Sequence, residues 1–160
     1  DRIEYRVIDV AKLAGIGPFD RILCDVPCTG TGTLARNPEI RHRLQPHELA
    51  RQAERQRAIL LSALRLLALG GRLLYATCSL EPEENEAVVE ACLASAEISP
   101  HGLRRLNLRV EFDRLEQQGI VQGEAVAELR ATGFRDGYLR TFPGLHSCDG
   151  FFAALIEKSK

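Results

Sequence analysis

Hydrophobic and polar positions along the 160-residue chain change period several times, and the changes mark out alternating strands and helices. Ile3 to Val10 (IEYRVIDV) is rich in β-formers and ends at Asp9, which predicts a first strand. Ala11 to Pro18 reads as a short connector holding two glycines. Arg21 to Val26 (RILCDV) is a compact apolar run that stops at Pro27-Cys28, and Gly30 and Gly32 then mark a loop. Leu49, Ala53, Leu60, Leu64 and Leu67 recur at helical spacing, from Pro46 at the first turn to Gly70-Gly71. Arg72 to Ala76 (RLLYA) is a second buried-strand run ending in Thr77-Cys78-Ser79, and Pro82 opens another helix running to about Ala96.

Strands apolar on both faces and joined by helices predict an α/β sheet with parallel pairing. Right-handed crossovers place the strand at 21–26 beside the strand at 72–76, with one helix between and helices on both faces of the sheet. In the second half, Ile98 to Asn107 reads as a connector with a short strand. Val110 to Arg130 is helical with breaks at Gly119 and Gly123, Tyr138 to Phe142 resembles an edge strand, and Phe151 to Ile156 is a strong terminal strand after Asp149-Gly150. There is no internal repeat, linker or sign of a second domain, so residues 1–160 are expected to belong to a single domain.

Composition narrows the classes. Hydrophobic residues make 45% of the chain and charged residues 27%, which is globular rather than disordered. No apolar stretch approaches the roughly 18 residues of a membrane span, and the opening Asp1-Arg2-Ile3-Glu4 is not an apolar leader. Five cysteines at 24, 28, 78, 92 and 148 form no disulfide framework, which points to a reducing, cytoplasmic setting. The net charge is −1, yet residues 36–57 hold six arginines and only three glutamates. Such a run is commonly a solvated helix face. Because arginine presents a planar fork to phosphate, Arg36, Arg41 and Arg43 are also candidates for holding a polyanion.

Cys28 and Cys78 each sit just past the carboxyl end of a strand, the edge at which open α/β sheets bind ligands. Neighbouring strands lie about 4.8 Å apart, so the two thiols can face one pocket. Cys24, Cys92 and Cys148 read instead as small core hydrophobes. A phosphatase loop needs an arginine six residues after its cysteine, and position 34 is leucine. Cys24, Cys28, His42 and His47 have the spacing of a zinc finger, which leaves a zinc-binding domain as one alternative.

The chemistry that uses two thiols is covalent attack on a pyrimidine. Carbon 5 of cytosine is a poor nucleophile, and adding a thiolate to carbon 6 creates an enamine-like adduct able to attack an electrophilic methyl group. The proton on carbon 5 must then leave before the thiolate can be expelled, and a second polar group near the adduct assists. The residues alone do not say which thiol plays which part.

Asp-x-Pro-Cys-Thr-Gly-x-Gly at 25–32, Gly70-Gly71, Tyr75-Ala76-Thr77-Cys78-Ser79, Glu81-Pro82-Glu83-Glu84-Asn85 and Asp149-Gly150-Phe151-Phe152 together resemble the RNA (cytosine-5)-methyltransferases of the Sun family, which includes the RsmB-like 16S ribosomal RNA enzymes. The likeness covers most of residues 1–97 and 140–158. It implies a Rossmann-like S-adenosylmethionine-dependent methyltransferase sheet, mostly parallel with an antiparallel C-terminal strand. It implies S-adenosyl-L-methionine as cofactor and RNA, of the ribosomal kind, as partner. By the same resemblance Cys78 is the nucleophile and Cys28 assists release, while Asp9 and Asp25 line the cofactor site. Pro27, Gly30 and Arg36 are placed at the substrate. On the residues alone, Gly30 and Gly32 either permit close backbone approach to a nucleotide or serve equally well as turn glycines. No metal is implied. The family's glycine-rich cofactor loop of Ala-Pro-Gly-Gly-Lys type is not in this sequence, so the chain is expected to be the C-terminal part of such a domain, beginning at its third strand. Segment 103–140 looks like a family-specific insertion. A non-catalytic RNA-binding or assembly fragment of the same fold is the other alternative.

Overall fold

The runs at 21–26 and 72–76 are adjacent parallel strands in the computed structural model, which describes residues 3–4, 6–12, 15–98 and 101–159. In chain order, a 3-10 turn at Val10–Lys12 precedes β1 (Phe19–Asp25), a 3-10 turn at Thr31–Thr33, and the helices α1 (Ile40–Arg43) and α2 (Pro46–Arg65). Then come β2 (Leu67–Thr77), α3 (Glu86–Leu93), β3 (Leu103–Leu106), α4 (Leu108–Gln117), α5 (Glu124–Thr132), β4 (Phe134–Arg135), β5 (Tyr138–Thr141) and β6 (Phe151–Lys158). The sheet order is β1-β2-β6-β5-β4, with β3 also paired to β6. β1 and β2 are parallel, and every ladder from β6 onward is antiparallel.

Parallel pairing needs a long crossover, and α2 supplies it. Pro46 stands at the helix start, Glu48 in its first turn and Arg65 in its last, each matching the helix dipole. α2 stops at Arg65 rather than reaching Gly70-Gly71. Phe19 pairs with Leu67, and the Phe19 N–H donates to the Leu66 carbonyl at 2.8 Å, so the run 67–71 is drawn into β2. A short apolar run carries no period that separates strand from helix, and pairing decides it.

Alternation along the strands gives the sheet two different faces. Cys24, Leu73, Tyr75, Phe152, Ala154 and Ile156 point to one face and form the core with Leu60 and Leu64 of α2 and Val88 and Val89 of α3. The Tyr75 and Phe152 rings meet edge to face at 6.3 Å. On the other face α4 covers the far end, its Phe112 packing on Phe134 at 5.1 Å and its Glu111 ion-paired to Arg72 at 2.9 Å. Leu23 of β1 stays exposed on that face. Helices therefore lie on both faces, as the pattern predicts. Among the described residues, no helix is long and apolar enough to cross a membrane.

Three expectations are corrected. The described residues between Ile3 and Asp9 are not a strand; they are exposed and irregular, and Val10–Lys12 turns onto α2, where Ser62 donates to the Ala11 carbonyl at 3.0 Å. Their β-propensity has no ladder to join, because β1 pairs only with β2 among the described residues. The Tyr138 segment is not an edge strand, since β5 lies between β4 and β6. The helix expected from Pro82 begins at Glu86, because residues 82–85 form a turn whose Glu84 and Asn85 side chains bond elsewhere. Segment 103–140 does contain the two predicted helices, broken between Gly119 and Gly123, both at positive φ.

The core assignment is testable. Leu60, fully buried between α2 and the sheet, is expected to cost about 2–5 kcal/mol when replaced by Ala, read as a lowered urea midpoint with an unchanged slope.

Candidate functional site

The strand ends of β1 and β2 define the site. Register pairs Cys24 with Tyr75 and Asp25 with Ala76, and the Val26 N–H donates to the Ala76 carbonyl at 3.1 Å. Pro27 has no N–H to continue the ladder. Both chains therefore leave the sheet at the same level, and the Sγ atoms of Cys28 and Cys78 come within 3.1 Å of each other. Both residues are half-buried. The two thiols therefore meet at one edge of the sheet, as the sequence led one to expect.

The loops carrying the thiols are laced together. The Gly32 N–H donates to the Cys78 carbonyl at 2.9 Å, and the Gly150 N–H donates to the Gly32 carbonyl at 2.9 Å. A Cβ on Gly32 would stand 2.3 Å from the Gly150 oxygen, so no other residue fits. Gly30 is buried under Ile40 at φ +76°. Gly30 and Gly32 are thus packed against neighbouring protein segments. Thr31 accepts from the Leu80 N–H at 2.9 Å, and Asn85 accepts from the Thr77 hydroxyl at 2.6 Å while donating to the Ser79 carbonyl at 2.9 Å.

Glu84 and Gln56 were not foreseen. Fully buried, Glu84 accepts from the Thr29 N–H at 3.0 Å, from the Thr29 hydroxyl, and from Gln56 Nε2 at 2.9 Å. The same Gln56 nitrogen donates to the Pro27 carbonyl at 2.9 Å. In the sequence Glu84 is one acid among Glu81, Glu83, Glu84 and Glu86, and no local signal separates the buried one.

The hydrogen bond between the two sulfurs makes the thiols unequal. Cys78 is lowered to about 7, chiefly because Cys28 donates to it, with burial and the charges of Asp25 and Glu84 opposing. Cys28 is raised well above the ordinary thiol range by that same hydrogen bond and by burial. Burial raises Cys24 and Cys92 to about 11, in keeping with core positions. Cys148 is exposed, which corrects its expected place in the core; it lies in the loop before β6, away from any packed face.

Asp25 sits at the exposed end of β1, close enough for its charge to act on Cys78. Asp9 and Pro27 line a cavity of about 650 Å³ against Ile59 of α2. A second cavity of about 310 Å³ opens beside Cys28 and Thr29, walled by Ile40, Leu44 and Gln52. Arg36 is exposed and ion-paired to Asp149 in the loop before β6. Arg41 is exposed as well, and the side chain of Arg43 lies outside the described residues. His146 is buried, accepting from the Phe142 N–H at 3.0 Å and sharing a hydrogen bond with Thr132, so its contacts serve the loop. The zinc alternative does not survive. Cys24 points into the core, Cys28 faces Cys78, and no group of three potential ligands gathers among the described residues.

A family model described as 16S rRNA methyltransferase RsmB/F matches residues 3–157. The chain belongs to this RsmB/F family. Ribosomal RNA small subunit methyltransferase F of Shigella dysenteriae is 36% identical over 142 residues, covering 89% of the chain and 26% of that protein. NSun6 from Pyrococcus horikoshii, solved with SFG, superposes with a TM-score of 0.59 at 28% identity, over 87% of the chain and 30% of that structure. A methyltransferase homolog from the same organism gives 0.57 at 30% identity, over 89% of the chain and 40% of that structure. The Rossmann-like methyltransferase fold expected from sequence is thereby shown. The chain spans about a quarter of the length of the curated RsmB/F relatives it matches. The methyl donor of this family is S-adenosyl-L-methionine.

The asymmetry of the thiols predicts a pH profile. Alkylation of Cys78 by iodoacetamide is expected to rise with pH through about 7 and level off above it, since the thiolate is the reactive form. Cys28→Ala removes the donor and should move that midpoint up toward the ordinary thiol range. An unmoved midpoint, read by mass spectrometry of the Cys78 peptide, would contradict the hydrogen-bonded pair.

Proposed function

We propose that the chain forms the thiol-bearing part of an enzyme that methylates carbon 5 of cytosine in RNA, ribosomal RNA in keeping with its family, through a covalent cysteine adduct. The observation that carries this reading is the 3.1 Å approach of Cys28 and Cys78 at the carboxyl edge of the sheet. Unpaired cysteines suit a reducing cytoplasm.

The residues present fit an S-adenosyl-L-methionine site in part. Ile8, Val10, Pro27 and Ile59 give the Asp9 cavity an apolar part suited to an adenine ring, beside the charged Arg51, Glu54 and Arg55, and Asp9 adds a carboxylate to its lining. Asp25 ends β1, close enough for its charge to act on Cys78. When bound, the donor supplies an electrophilic methyl group.

The chain's own residues would act in this order. Cys78, the more readily ionised thiol, adds to carbon 6 of the cytosine, and carbon 5 gains the electron density it needs to take the methyl. Once the Cys78 sulfur is bonded to carbon, it no longer holds the Cys28 proton, and the main cause of the raised Cys28 thiol is gone. Cys28 then gives its own proton to solvent and, as thiolate, removes the carbon-5 proton. The electron pair left behind re-forms the 5,6 double bond, the carbon 6–sulfur bond breaks, and Cys78 leaves as thiolate. Flipped or single-stranded RNA is the natural substrate, because a stacked base exposes neither carbon to the cleft. The exposed guanidinium groups of Arg36 and Arg41 suit phosphate contacts beside it.

Two variants of the protein as the cell makes it test this reading. Cys78→Ala is expected to reduce methyl incorporation into RNA to background. Cys28→Ala should add to RNA but fail to release it, leaving a protein–RNA species that survives denaturing electrophoresis. Free turnover by both variants would refute the assignment.

A further inference from the structure

We infer that Glu84, together with Gln56, is a positioning residue that sets the place of Cys28 for product release. The inference rests on the covalent reading above and assigns to it a pair of residues that never reach the substrate.

The geometry is a clamp. Gln56 holds the carbonyl on one side of Cys28, at Pro27, and Glu84 holds the N–H on the other side, at Thr29. The two clamping side chains are bonded to each other at 2.9 Å. Glu84 is in turn anchored to the strand bearing Cys78. The Tyr75 hydroxyl donates to the Glu84 carbonyl at 2.7 Å, and the neighbouring Asn85 accepts from Thr77. The position of Cys28 is therefore referred to β2 through these side-chain bonds as well as through the Thr29–Gly32 loop.

The chemical make-up is unusual for a merely structural contact. A fully buried carboxylate costs free energy unless its oxygens are satisfied, and it is commonly paired with a cation. The donors that reach Glu84 here are neutral: an N–H, a hydroxyl and a carboxamide, two of them from the residue directly after Cys28. A carboxylate accepts from several donors at once, so one side chain gathers the Cys28 segment, α2 and the β2–α3 turn at a single point. Cys78 needs no such device, because it follows β2 directly by one residue.

The consequence is specific to one step. Loosening the clamp leaves Cys78 on its strand end, able to add to carbon 6, but displaces the group that must meet the carbon-5 proton. Glu84→Ala in the protein as the cell makes it, with RNA and S-adenosyl-L-methionine, is expected to lower kcat about a hundredfold, the scale of an ångström-size misplacement. KM for RNA should change little, and a denaturation-resistant protein–RNA adduct should accumulate as in Cys28→Ala. Glu84→Gln keeps an acceptor for the Thr29 N–H and should recover most of the lost turnover. Gln56→Ala, which spares Glu84, is the second variant should Glu84→Ala fail to fold; it should accumulate the same adduct more weakly. Wild-type turnover in both alanine variants, activity loss without adduct while Cys28→Ala still traps one, or loss of fold in both would each overturn the positioning role. Absence of an adduct in Cys28→Ala itself would instead locate the failure in the covalent reading, and this inference would fall with it.

Discussion

The proposed chemistry depends on two sulfurs standing 3.1 Å apart. Neither local segment produces that contact. It comes from the parallel register of β1 and β2, in which Asp25 and Ala76 are level at the sheet edge. Side chains alternate with a period of two, so a slip of one residue would send Cys24 and Tyr75 out of the core and carry the Cys28 segment out of step with Cys78. The core that forbids the slip is built from the same strands, with Cys24, Tyr75 and Phe152 on the buried face. Stability and chemistry are thus enforced by a single register.

Above the strands, precision passes from ladders to loops. Gly32 and Gly150 approach so closely that a side chain on either would collide with backbone or with Leu80. Hydroxyls of Thr29, Thr31, Thr77 and Ser79 then fill the space with short-range hydrogen bonds. The electrostatic result is an unequal pair, with Cys78 lowered and Cys28 raised by the hydrogen bond between them. Coupled groups of this kind are best regarded as a unit whose state changes when either sulfur becomes bonded.

The arginine-rich stretch is less uniform than its charge suggests. Arg51 pairs with Glu48 one turn away on α2, and Arg36 pairs with Asp149 across the site. Surface pairs of this sort contribute little to stability. Arg36 and Asp149 instead tie the segment after Cys28 to the loop before β6, next to the Gly32–Gly150 contact.

Much of this was legible from residues alone, because apolar runs bounded by Pro, Gly and acids name strands, and helical spacing names α2. The sequence determined which cysteines stand at strand ends, and through its motif pairs it determined the family. It did not determine that Ile3 to Val10 lacks a partner strand, that Leu67 joins β2, or that β5 is flanked on both sides, since pairing is a property of neighbours and not of segments. Nor did it single out Glu84 among four nearby acids, or show that Gly32 is needed by Gly150. Those are contacts between positions tens of residues apart, and only the tertiary structure, by closing the chain on itself, decides which polar groups are buried and what satisfies them.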